Sequence, residues 1–179
     1  ILDDQWDGEK TELAAKNLLL NIKLFNQANK QIVIDQLIVN KPFINLHSYE
    51  GKNTSLQKDT NQRNSNPAQL NPNDLNIVAN EIQVINGKFL IEYGFEKPVP
   101  YFDGAHIRMH DLNAQIYNAT LSKDTITAKV NLSVKERSGF EIKKLNTLFK
   151  LTPQIMEFAQ LSLKTNNCII GPYYAMQYK

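Results

Sequence analysis

The stretch IDQLIVNKPFINLHSYEGKNTSL, residues 34–56, alternates apolar and polar side chains on either side of Asn40-Lys41-Pro42. The same device recurs in ANEIQVINGKFLIEY, residues 79–93, around Ile85-Asn86-Gly87, and more faintly in FAQLSLKTNNCII, residues 158–170, around Thr165-Asn166-Asn167. Aligned on the turn, Leu37 falls on Ile82, Val39 on Val84, Pro42 on Gly87, Ile44 on Phe89 and Leu46 on Ile91. The third copy sets Leu161 and Leu163 before its turn and Cys168 and Ile170 after it. Successive side chains of a strand point to opposite faces, and Asn, Gly and Pro supply turn geometry. Each copy therefore reads as a β-hairpin, or a sharp bend within a sheet, with one apolar face. Such a unit cannot bury that face alone. Similar units laid side by side give an elongated sheet with a continuous apolar face. Periodicity leaves two forms open: a closed sandwich, and a curved open sheet whose apolar face lines a groove.

Two-residue periodicity extends along most of the chain. In residues 124–135, Ile126, Ala128, Val130, Leu132 and Val134 alternate with small, β-branched or charged residues, as in a half-buried strand. Leu18, Leu20, Ile22 and Leu24 do the same in 17–25. Further strands are predicted at 31–39, 42–49, 76–86, 88–96, 104–118, 139–151, 154–165 and 167–178. Residues 9–16 could form a helical turn or two. The spacing of Ile142, Leu145 and Leu148 also fits a helix, but Leu145, Thr147, Phe149 and Leu151 alternate, which favours strand. The segment KDTNQRNSNPAQLNPND, 58–74, is almost devoid of apolar residues and reads as a mobile surface loop. The fold class is all-β: one domain over 1–179, an elongated, curved, mostly antiparallel sheet built from hairpin repeats, with at most one or two short helices.

The net charge of +2 and the scattered bases argue against nucleic acid as a partner. Cys168 is the single cysteine, so no intrachain disulfide can form. No apolar run approaches the length of a membrane-spanning helix. The chain begins at Ile1 without an initiator Met and reads as a fragment or a processed form.

Catalytic and metal chemistry find little support. His106, Arg108 and His110 share one side of a predicted strand, but two histidines without a close third ligand read as a solvated strand face. Gly51-Lys52-Asn53-Thr54 lacks the upstream glycine of a phosphate loop, and Glu136-Arg137-Ser138-Gly139 lacks a nucleophile elbow. No catalytic residue, metal or cofactor is assigned.

The frame L-x-V-x-x-P-x-I-x-L from Leu37 to Leu46, followed by Gly51-Lys52-Asn53 and Leu56, resembles the AsmA-like proteins of diderm bacterial envelopes. So does V-x-x-G-x-F-x-I from Val84 to Ile91. The nearest look is to their translocation and assembly module (TamB-type) branch, in which segments like TELAAKNLLLNIKL (11–24) and VKERSGF (134–140) stand in the same order. The resemblance covers about residues 11–170. It implies a non-enzymatic, taco-like β-groove in the periplasm, within a longer protein anchored in the inner membrane. That groove would carry phospholipid acyl chains between inner and outer membranes, or serve outer-membrane biogenesis beside a β-barrel partner. The lining would be Leu37, Val39, Ile44, Leu46, Ile82, Val84, Phe89, Ile91, Ile126, Val130, Leu132, Leu161, Leu163 and Ile170. The rival expectation is a β-sandwich binding or adhesion module of the cell envelope, with those residues as its closed core. A hydrolase with dispersed residues is the remaining alternative.

Overall fold

The computed structural model describes residues 7–51 and 69–178. They form one open sheet, not closed into a barrel. Its strands are β1 (Gly8–Ala14), β2 (Asn17–Asn26), β3 (Gln31–Asn40), β4 (Phe43–Tyr49), β5 (Asn76–Tyr93), β6 (His106–Ser122), β7 (Thr125–Glu136), β8 (Glu141–Leu151), β9 (Ile155–Thr165), β10 (Ile169–Ile170) and β11 (Tyr174–Gln177). From β5 to β9 each strand pairs antiparallel with the next. Among the described residues, strands touch only their hydrogen-bonded neighbours. Among the described residues no second layer covers either face, and no side chain is fully buried.

The first two repeats are bends, not hairpins. β3 and β4 run in line, broken at Lys41, and both pair in parallel with the long β5. The sequence alignment is the register itself: Leu37 opposes Ile82, Val39 opposes Val84, Ile44 opposes Phe89 and Leu46 opposes Ile91. The third copy is an antiparallel hairpin of β9 and β10. Parallel pairing requires the chain to return the full length of β5 between Tyr49 and Asn76. At about 3.3 Å per residue an 18-residue strand is roughly 60 Å long, so the connection has to be long. The polar segment supplies it. Most of that segment, 58–68, lies outside the described residues, as do the phosphate-loop candidates Lys52, Asn53 and Thr54. Its end is anchored: Asn71 is buried, accepts from Leu75 N at 2.9 Å, and gives its own N–H to Asp124 at 3.0 Å.

The bend is written into the backbone. Lys41, Asn86 and Asp111 all take φ near +50°, a region that Asn and Asp tolerate better than other non-glycine residues. At each, the apolar spacing lengthens from two residues to three: Val39 to Pro42, Val84 to Gly87, Met109 to Leu112. The extra residue turns the strand and restores the phase of the next apolar side chain. Gly87 sits at the crease. A Cβ there would lie 3.0 Å from Pro42 Cγ, 3.3 Å from Val84 Cγ1 and 3.5 Å from Leu112 Cβ. The apolar sets on either side of the crease therefore share one face.

Three sequence expectations are corrected. Residues 9–16 are not helical: Gly8–Ala14 is a strand whose backbone groups pair with β4. The strands predicted at 76–86 and 88–96 are one bent strand, because β6 hydrogen-bonds across the bend. The strand predicted at 167–178 is two, β10 and β11, which pair with different halves of β9.

The β2 edge is guarded only lightly, by Lys23 and by the register shifts between Asn21 and Leu24. Leu18, Leu19, Leu20, Ile22, Leu24 and Phe25 are 42–66% exposed, and Lys23 is the strand's single charge. A long apolar edge offers its unpaired backbone groups to any other strand. Concentration-dependent association is expected, and Leu20→Lys should suppress it, as read by sedimentation velocity.

Candidate functional site: the open apolar face

One row of residues defines the face. Leu18, Val39, Val84, Ala114, Leu132, Leu145, Leu163 and Ile170 are successive cross-strand partners through β2, β3, β5, β6, β7, β8, β9 and β10. All are apolar, and only the two at the edges are exposed. A second row runs Leu20, Leu37, Ile82, Ile116, Val130 to Thr147. Beyond the crease, Leu13, Ile44, Phe89 and Met109 form a third row, and Leu46, Ile91 and Ile107 a fourth. Cross-strand neighbours on one face lie within contact range, so these side chains shield one another although nothing is laid over them.

The opposite face is of another kind. The row adjacent to the Leu132 row runs Ile38, Gln83, Gln115, Asn131, Asn146 and Ser162. On the lower half Arg108 donates to Glu92 at 2.6 Å. The described residues form a single layer, apolar on one side and mixed on the other, where Leu19 and Ile38 lead into the amide row.

Comparison with family models, with curated proteins and with solved structures found no match. The geometry has to speak for the site.

All of the residues predicted to line an apolar face lie on this one. Twelve fall in the four rows or at their ends. Ile126 follows Val130 in the alternation of β7, and Leu161 stands with Leu163 and Ile170 around a depression. That depression, about 350 Å³, is walled by Leu145, Met156, Phe158, Leu161, Leu163, Ile170 and Tyr174, with no polar atom exposed in it. The rings of Phe149, Phe158 and Tyr174 continue its wall at centroid spacings of 5.2 and 6.0 Å. Sequence reasoning missed Ala114, Leu145, Met156, Phe158 and Tyr174. Leu145 was legible as an alternating residue of 139–151. Met156 and Tyr174 join the depression only through the β9–β11 pairing, which no local pattern announces.

His106 departs from the solvated strand face expected of it, whereas the His110 side chain is 45% exposed. His106 is buried, 6% exposed, and Nδ1 meets Asp103 Oδ2 at 2.8 Å. Asp103 also accepts from Val99 N and Ala105 N. His110 lies 3.3 Å from Asp111. Among the described residues no group of three metal-ligating side chains occurs. The reason for the burial of His106 is the loop 94–105, which folds over the strand ends and places Asp103 against the ring.

Asp103 is held below the ordinary aspartate pKa, chiefly by its hydrogen bond to His106 and further by the Val99 and Ala105 N–H groups. A carboxyl whose folded pKa is depressed contributes stability above its unfolded pKa and loses it as pH falls through the folded one. Acidification below about pH 3.9 should therefore loosen this loop. Hydrogen exchange of the Ala105 amide follows it, and Asp103→Asn should weaken the pH dependence, leaving the part that Glu136 carries. Glu136 nearby is also buried. Burial pushes its pKa up, but the Ser138 hydroxyl and N–H, the Arg108 N–H and the Arg137 charge outweigh that, leaving it below the usual range.

Proposed function

We propose that the open face is a sliding surface for phospholipid acyl chains, and that the chain is a segment of an AsmA-like, TamB-type envelope protein. The observation that carries this reading is the apolar row from Leu18 to Ile170, which crosses eight strands without a polar interruption and has no covering layer among the described residues. Burying acyl chain is favourable by about 0.8 kcal/mol per CH₂. A continuous face with no enclosed, selective pocket suits cargo that must move. Headgroups would remain in water along the rim. The role is transport between inner and outer membranes or outer-membrane biogenesis, in the periplasm, with the parent protein anchored in the inner membrane and an outer-membrane β-barrel as partner. The first two repeats, bent alike and laid in register, support the resemblance.

The rival sandwich would need a second sheet over Leu132 and Leu145, and the described residues offer none. The test is direct. The purified chain is extracted with organic solvent and the extract examined by mass spectrometry. Co-purifying phospholipid is expected. A chain that is lipid-free after purification, and takes up no fluorescent fatty acid, overturns the reading.

A further inference from the structure

The two ends of the strands differ in chemistry. At one end the turns are polar: Gln27–Lys30, Asn71–Asp74, Lys123-Asp124 and Thr152–Gln154. Its exposed aromatics are Phe25 and Tyr178. At the other end, where β4 and β5 finish and β6 begins, Tyr93, Phe95, Tyr101, Phe102 and Phe140 are 48%, 52%, 70%, 59% and 41% exposed.

This exposure is built into the loop rather than left to chance. Arg137 donates to the carbonyls of Val99, at 2.7 Å, and Tyr101, at 3.3 Å. Asp103 takes the amides of Val99 and Ala105. Tyr93 N bonds to Ala105 O, and Gly94 N to Ser48 O. Prolines at 98 and 100 stiffen what remains. The rings of Tyr101 and Phe102 are thus presented outward although the apolar face begins a few residues away, at Ile91 and Ile107.

We propose that this end is a membrane-docking rim, with Tyr101 and Phe102 at its tip entering the interfacial region of a phospholipid bilayer. The rim's tyrosines, rings with one polar end, suit headgroup depth, and its wholly apolar phenylalanines suit the acyl boundary just beneath. A protein strand is the poorer occupant. It needs free backbone donors and acceptors, and those of Val99 and Ala105, with the Tyr101 and Asp103 carbonyls, are already taken within the protein. Glu96 and Lys97 cancel, so net anionic lipid is not required. The rim extends the acyl-chain reading by naming the surface from which lipid reaches the open face, and the two ideas fail separately.

Flotation with phosphatidylcholine vesicles tests it. The wild-type chain floats, and Tyr101→Asp/Phe102→Asp lowers the vesicle-bound fraction about tenfold or more. Both positions are solvent-exposed, so the variant folds, as circular dichroism would verify. Phe25→Asp, an edge variant at the opposite end of β2 and outside the apolar rows, leaves flotation within about twofold. A loop variant that floats like wild type, flotation abolished by the edge variant instead, or a wild-type chain that does not float overturns the rim. Uptake of a fluorescent fatty acid from solution is measured in parallel. If the loop variant loses flotation and keeps uptake, both readings stand. If wild type shows loop-dependent flotation and no uptake, the rim stands and the acyl-chain face falls.

Discussion

Leu132→Asp should empty the apolar face of lipid. Leu132 stands in mid-sheet, between Ala114 and Leu145 in the row that spans the molecule. A carboxylate there, in line with Ala114 and Leu145, would be desolvated by any acyl chain laid across it. Unpaired burial of a charge is prohibitive, so the chain has to leave or the carboxyl has to protonate. Fatty-acid affinity is expected to fall about tenfold or more, since losing even two buried methylenes at roughly 0.8 kcal/mol each suffices. The adjacent Asn131 points to the other face, in the amide row with Gln115 and Asn146. Asn131→Asp is therefore the control, with uptake unchanged. Phe89→Asp should act as Leu132→Asp does, on the far side of the crease. Equal losses at positions 131 and 132 would mean that lipid does not distinguish the faces.

Gly87→Val is the second large effect, and it falls on stability. The Cβ of any side chain at this site meets Pro42 Cγ at 3.0 Å and Val84 Cγ1 at 3.3 Å, and valine adds two methyls beyond it. Pro42 is ring-locked and Val84 is held in its row, so neither yields cheaply. Overpacking of this kind costs about 1–3 kcal/mol, a melting temperature lower by roughly 5 °C for a chain of this size. Asn86→Gly is the contrast. Asn86 has φ +54°, a conformation glycine adopts without strain, so its melting temperature should barely move. A Gly87→Val chain as stable as wild type would show that the strands do not close on one another at the crease.

Much of this was legible in the residues. The doubled spacer in L-x-V-x-x-P and V-x-x-G marks the bend, and the aligned apolar pairs are the observed register. The local signal sufficed because a bulge is a local event: one extra residue in a left-handed conformation, with the alternation resuming out of step. What the local signal could not carry was partner choice. Asn40-Lys41-Pro42 and Ile85-Asn86-Gly87 could each have closed a hairpin. They remain bends because β5 runs past both halves of the first repeat and takes their hydrogen bonds in parallel. His106 was misread for a similar reason. Its burial comes from Asp103 and a loop folded over the strand ends, not from its own strand.

By itself the sequence determined that the chain is β-rich, which side chains share a face and where the strands bend. These follow from the two-residue period and from the turn chemistry of Asn, Gly and Pro. Only the tertiary structure decided that the apolar face stays open. Alternation dictates that a strand has an apolar side, and it is blind to what lies across from that side. The answer depends on whether a second sheet returns to cover it. Here each described strand spends its contacts on its hydrogen-bonded neighbours, so the face that the sequence prescribes is left uncovered among the described residues.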